Sequence, residues 1–142
     1  MFQLTIPGNP IPQKRPKFSS RGKFVQVYNP GKKDQDVIKI LLKQIWEHEP
    51  ISDPVELDIT FYMPIPKGTS KIKYKEMVSD QINHVKKPDV DNLLKTVLDC
   101  MNDIVFEDDR QVHKITANKR YGETPRTEIK VTLNAPHTNL PK

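Results

Sequence analysis

Two short acidic groups have the residue types and spacing for metal chemistry. Lys87-Pro88-Asp89-Val90-Asp91-Asn92 places two carboxylates two residues apart, directly after a proline. Glu107-Asp108-Asp109 supplies a second group a short distance further on. Crowded carboxylates repel one another unless a cation intervenes. Mg²⁺ takes oxygen ligands in octahedral geometry, usually a few carboxylates completed by water and substrate phosphate. Such an ion can activate water and stabilise the leaving oxygen in phosphodiester hydrolysis. In an extended segment Asp108 and Asp109 face opposite ways, so one of the two is expected to join Asp89 and Asp91. Lys95 lies one helical turn after Asp91, where it can contact a phosphate. The plainer roles are an Asp89 or Asp91 helix cap, worth about 1 kcal/mol, and a Lys95 ion pair with Asp91 or Asp99, worth roughly 0.2–0.5 kcal/mol. A calcium-binding EF-hand loop is excluded, because Leu93, Leu94 and Lys95 stand where further ligands and a glycine are needed. Asp99 and Asp103 read as solvated helix-surface acids, and Asn92 as structural.

The charge distribution fits a polyanionic partner. The 142 residues carry 23 Lys+Arg and 18 Asp+Glu, a formal net charge of +5. Residues 89–109 hold seven acids and one base, a net −6, and the remainder is net +11. A basic surround favours polyanions such as nucleic acid, or an anionic membrane surface. Lys14, Arg15 and Lys17 sit in a proline-spaced segment free of acids, and Lys86, Lys87, Lys119 and Arg120 add charge nearer the acidic groups. All seven are candidate phosphate contacts, with affinity that falls steeply with salt. His48, His84, His113 and His137 lack ligand spacing and read as structural or surface residues. The longest apolar run is three residues, so nothing spans a membrane. No secretory signal is visible at the N-terminus. Cys100 is the single cysteine, which excludes an internal disulfide and a multi-cysteine zinc site. A cytoplasmic location fits these features.

The elements that must position these residues follow from periodicity. Phe2–Ile6 alternates and reads as a strand, and Phe24–Tyr28 as a short one. Asp34–Glu49 reads as a helix, with Val37, Ile38, Leu41, Leu42, Ile45 and Trp46 on one half of its surface. Pro54–Met63 has the clearest strand alternation. Thr69 or Ser70 can cap a basic helix reaching about Ser79. A second strong helix follows Pro88. Val90, Leu93, Leu94, Val97, Leu98 and Met101 span an arc of about 140°, with Asp91, Lys95, Asp99 and Asn102 beside it. Trp46 and Phe106 read as core. Gln111–Arg120 and Thr127–Leu133 read as strands, and Gly122 and Pro125 predict an antiparallel hairpin between them. The tail from Pro136 to Lys142 reads as flexible.

Taken together, Lys87-Pro88-Asp89-x-Asp91-Asn92-Leu93-x-Lys95, then Leu98-Asp99, then Glu107-Asp108-Asp109-x-Gln111-Val112, resembles the RusA family of Holliday junction resolvases. Pro12-x-Lys14-Arg15-Pro16-Lys17 and Lys119-Arg120-Tyr121-Gly122 resemble it too, so the match covers Ile6 to about Val131. The resemblance implies a single α+β domain over residues 1–135, a small mixed sheet packed with two main helices. It implies a Mg²⁺-dependent crossover junction endodeoxyribonuclease, with Mn²⁺ as a substitute, that acts as a homodimer on four-way DNA junctions in recombination and repair. It carries catalytic roles onto Asp89, Asp91, Lys95 and Asp109, with Asp108 the alternative third ligand. Such resolvases are often encoded by prophages. Two readings compete: a less selective nuclease for flaps or other branched DNA, and a non-catalytic DNA-binding protein whose acids only solvate a helix.

Overall fold

The strand with the strongest apolar alternation takes the centre of the sheet. The computed structural model describes residues 1–14, 17–21, 24–28 and 31–133. In chain order its elements are β1 (Phe2–Pro7), β2 (Lys17–Arg21), β3 (Phe24–Tyr28), α1 (Lys32–Ile45), β4 (Val55–Met63), α2 (Lys71–Val78), α3 (Val90–Met101), a 3-10 turn (Asp109–Gln111), β5 (Val112–Tyr121) and β6 (Arg126–Leu133). The main sheet has the order β1-β6-β4-β5, and β2 pairs with β3 in a separate antiparallel ribbon. Val55, Leu57, Ile59, Phe61 and Met63 of β4 are all buried on one face. Leu4 and Ile6 of β1 and Ile129 and Val131 of β6 continue that face, which α1 and α3 cover. The result is one α+β domain with a mixed four-stranded sheet and three helices.

The hairpin expected between β5 and β6 does not form, because β4 lies between them. β5 runs parallel to β4 on one side and β6 runs antiparallel on the other. The cause is unequal apolar content. Ile115 of β5 is 36% exposed and shares its face with Lys119, so β5 tolerates an edge, whereas β4 has no exposed apolar residue on its inner face. A parallel neighbour needs a long crossover, and α2 and α3 lie within it. The Gly122–Pro125 link therefore passes over the end of β4. A Cβ at Gly122 would lie 2.9 Å from Tyr62 Cβ, so only glycine fits there. The Gly122 N–H donates to Met63 O at 3.0 Å, closing the crossing.

The helices follow their sequence signals with local differences. Ser70 caps α2, its hydroxyl accepting from the Lys73 N–H at 3.3 Å. α1 stops at Ile45, four residues before the expected end. Trp46 turns extended, packs its ring 5.0 Å from Phe2 and donates Nε1 to Glu49 O at 3.3 Å. Ile38, Leu42 and Trp46 are buried, but Val37 and Ile45 of the same arc are exposed. α3 buries Leu93, Thr96, Val97, Cys100 and Met101. After it, Asp103 takes φ +63°, a left-handed conformation that aspartate tolerates. Ile51 then pairs with this segment, its N–H donating to Val105 O and its carbonyl accepting from Glu107 N–H. Ile104, Val105 and Phe106 are buried, which pins the connection leading to the second acidic group. None of the described helices is long and apolar enough to cross a membrane.

Burial pushes the Cys100 thiol up to about 11. Its Sγ faces Gln35 O at 3.7 Å. A thiolate is the reactive form. The folded protein is therefore expected to resist alkylation by iodoacetamide at pH 8, whereas protein unfolded in guanidinium reacts within minutes. Rapid labelling of the native protein, read by mass spectrometry, would contradict this.

Candidate active site

The start of α3 is held from two sides, by the N-terminal segment and by the sheet. Asp89 occupies the N-cap position with extended backbone, yet its side chain makes no capping hydrogen bond. Asp91 lies in the first turn. Both residues are exposed, and neither carboxylate has a hydrogen-bond or ion-pair partner among the described residues. The expected cap is thus present in position but not in bonding, and both acids remain available to an ion.

From the N-terminal segment, the Gln13 N–H donates to Asn92 O at 3.1 Å. Gln35 of α1 donates Nε2 to Gln13 Oε1 at 3.0 Å. These bonds lay Pro12 and Gln13 across the first turn of α3. Lys14 follows directly and pairs with Asp34 at 3.7 Å, both about half exposed. A cavity of about 530 Å³ opens between the two segments, lined by Pro12, Gln13, Lys87, Pro88, Asp89 and Asn92.

From the sheet, Lys119 of β5 donates Nζ to Lys86 O at 2.8 Å and to Pro88 O at 2.9 Å. It therefore braces the segment that leads into Asp89, where the Lys87–Pro88 peptide is cis. Sequence reasoning gave Lys119 to DNA and missed this role. The signal was present, since Lys119 shares a strand face with Ile115 and Ala117, an unusual place for a lysine unless it has carbonyl partners. His84, expected to be a structural or surface residue, is buried, with its ring tilted against that of Tyr121 at 4.9 Å between centroids. Burial, then the charge of Lys119, lowers its pKa from the ordinary histidine value, so the ring is neutral at pH 7. Arg120 is held within the fold, with Nη2 3.6 Å from Asp80 and its guanidinium 5.7 Å from the centre of the Tyr62 ring. Lys86 and Lys87 are exposed. Arg15 and the side chain of Lys17 lie outside the described residues, as does the expected tail.

The second acidic group has a defined internal division. Asp108 caps the 3-10 turn, accepting from the Arg110 N–H at 2.9 Å, while its own N–H donates to Gln111 Oε1. Gln111 Nε2 donates to Ile51 O and Asp53 O, which anchors the turn to the body of the protein. The backbone N–H of Arg110 lowers the Asp108 pKa. Asp109 moves the other way: burial first, then the hydrogen bond and charge of Asp108 and the charge of Asp99, raise its pKa. Asp108 is thus committed to the turn, and Asp109 is the acid that gains most from a nearby cation.

Between the two groups runs the row Asp91, Lys95, Asp99, spaced four apart on one side of α3. Lys95 pairs with Asp99 at 3.9 Å, with its side chain 63% exposed. Among the described residues no three His, Cys, Asp or Glu side chains converge to form a ready cage for an ion. Asp89 and Asp91 lie together at the start of the helix, whereas the acids that act on Asp109 are Asp108 and Asp99. The donor set is nevertheless suited to Mg²⁺, which binds through one or two carboxylates with water and phosphate completing its shell.

The family model described as Endodeoxyribonuclease RusA matches residues 7–132. The chain is also 32% identical over 134 residues to "Uncharacterized protein YqaN" of Bacillus subtilis (strain 168), covering 92% of this chain and 94% of that relative.

Proposed function

Since the chain belongs to the RusA family of endodeoxyribonucleases, we propose that it resolves four-way DNA junctions by Mg²⁺-dependent phosphodiester hydrolysis. The single observation that carries this reading is the pair of uncommitted carboxylates, Asp89 and Asp91, on a braced helix start beside an open cavity lined by Asp89 and Lys87. Asp89 and Asp91 would hold the metal, with Asp109 as a third carboxylate engaged when DNA is bound. The metal, when bound, supplies charge stabilisation at the phosphate and a more acidic water. Mn²⁺ has the same ligand preference and would substitute.

The residues of the chain have separable tasks. Lys95 reaches the scissile phosphate by exchanging its long contact with Asp99 for a charge-assisted hydrogen bond. Lys86 and Lys87 hold the strand at the mouth of the cavity, while Lys14, Arg15 and Lys17 bind the adjoining backbone. Arg120 adds long-range positive charge while staying paired with Asp80. Lys119 contributes by positioning the Lys86–Pro88 segment.

A four-way junction presents two equivalent strands, so two copies related by two-fold symmetry would cut both. The protein is accordingly proposed to act as a homodimer in the cytoplasm, in recombination and repair.

The test is cleavage of a labelled four-way junction, a flap and a linear duplex, each with Mg²⁺ and with EDTA. Paired nicks confined to the junction and lost in EDTA are expected. Equal cutting of the flap would replace the reading with a broader branched-DNA nuclease. No metal-dependent cutting of any substrate would leave a DNA-binding protein.

A further inference from the structure

We propose that a second cavity, next to the one holding Asp89, is a subsite for one unstacked nucleotide of the DNA flanking the cut. The inference rests on the junction nuclease reading. The cavity measures about 360 Å³, within the roughly 300–1,000 Å³ of small-ligand sites. It adjoins the first, because Pro12, Lys87 and Pro88 line both. A strand with its phosphate at Asp89 therefore has a neighbouring nucleotide beside the second opening.

The lining is arranged for a base with a phosphate attached. Pro12, Pro64 and Pro66 form rigid apolar walls, which lose little freedom on contact with a flat ring. At the base, His84 lies against Tyr121, and both are buried, so this surface is pre-formed. Lys86 and Lys87 stand at the mouth, where the sugar-phosphate would remain. Asn9 adds an exposed amide that can pair with a base edge. An apolar slot with cations at its rim matches a nucleotide better than a peptide or a bare phosphate. Unstacking a base costs a few kcal/mol in duplex and less where pairing is already interrupted, so a branch point is the place where this slot fills most readily.

The experiment uses 2-aminopurine, whose fluorescence rises when it leaves the stack. It is placed singly at each of the positions flanking the cut in a four-way junction, and the junction is bound to the Asp91→Asn protein. One position is expected to brighten several-fold. Adding Pro66→Trp or Asn9→Trp, both exposed sites whose new ring would fill the slot, is expected to abolish the signal while the junction remains bound. Unchanged circular dichroism verifies that each variant is folded. If no position brightens although the wild-type protein cuts the same junction with Mg²⁺, the subsite does not exist. Persistence of the signal in both tryptophan variants overturns it equally. Failure of the wild-type protein to cut any junction is a separate result, which removes the nuclease reading on which the proposal rests.

Discussion

The Asp91→Asn protein is expected to bind a four-way junction as tightly as the wild type and to cut it about a thousand-fold more slowly. The asparagine keeps the shape of the side chain but removes the charge that a hard cation requires. Several kcal/mol of transition-state stabilisation are lost with the ion, and each 1.36 kcal/mol is about tenfold in rate. Folding is nearly untouched, because Asp91 is exposed and has no partner among the described residues. The favourable effect of an acid in the first turn of a helix is only about 0.3–1 kcal/mol. DNA binding is preserved because the change makes the site less negative. Gel-shift titration and single-turnover cleavage measure the two quantities separately. Cleavage at the wild-type rate would remove Asp91 from the site, and a matching loss of binding would make its role structural.

The second large effect is expected at Lys119. Lys119→Met keeps the length of the side chain but deprives Lys86 O and Pro88 O of their shared donor. Hydrogen bonds from a charged group contribute about 1.5–3 kcal/mol each, less where water can replace them. A lowered melting temperature is therefore expected. The distinguishing readout is metal dependence. Partners that orient metal-binding groups typically cost about 10–100-fold in affinity or activity when removed. Lys119→Met should raise the Mg²⁺ concentration needed for half-maximal cleavage and lower the rate by a comparable factor. Lys119→Arg, which can still donate to both carbonyls, should recover much of it. An unchanged Mg²⁺ requirement in a folded Lys119→Met protein would show that the brace does not act on the site.

These expectations draw on different layers of information. The pair at Asp89 and Asp91 was legible because it depends on local rules. Proline ahead of a helix and the 3.6-residue apolar period set where α3 begins, and therefore which acids lie on its first turn. β4 was legible for the same reason, through its alternation. Ser70 as the cap of α2 needed only its own segment. The preference for Asp109 over Asp108 came with the family resemblance. What local reading did not supply was the anchoring of their turn, where Gln111 reaches Ile51 and Asp53, more than fifty residues earlier in the chain.

Strand order was also beyond local reading. Gly122 and Pro125 signal a reversal in either topology, and the hairpin was the shorter solution. The outcome was decided by competition for the centre of the sheet, which β4 wins because its inner face is wholly apolar. The bracing by Lys119 was out of local reach for a related reason: it depends on which segment packs beside the strand, as the burial of His84 also does.

The amino-acid sequence by itself determined the family, the α+β class, the two carboxylates at the start of α3 and the excess of basic charge around them, because each resides in residue type and short spacing. Tertiary structure alone decided that β5 sits at the edge, where Lys119 reaches the segment before Asp89. It alone also laid Pro12 and Gln13 across the start of α3, beside the two adjoining cavities. Those features come from burial and hydrogen bonding between distant segments, which short-range periodicity does not encode.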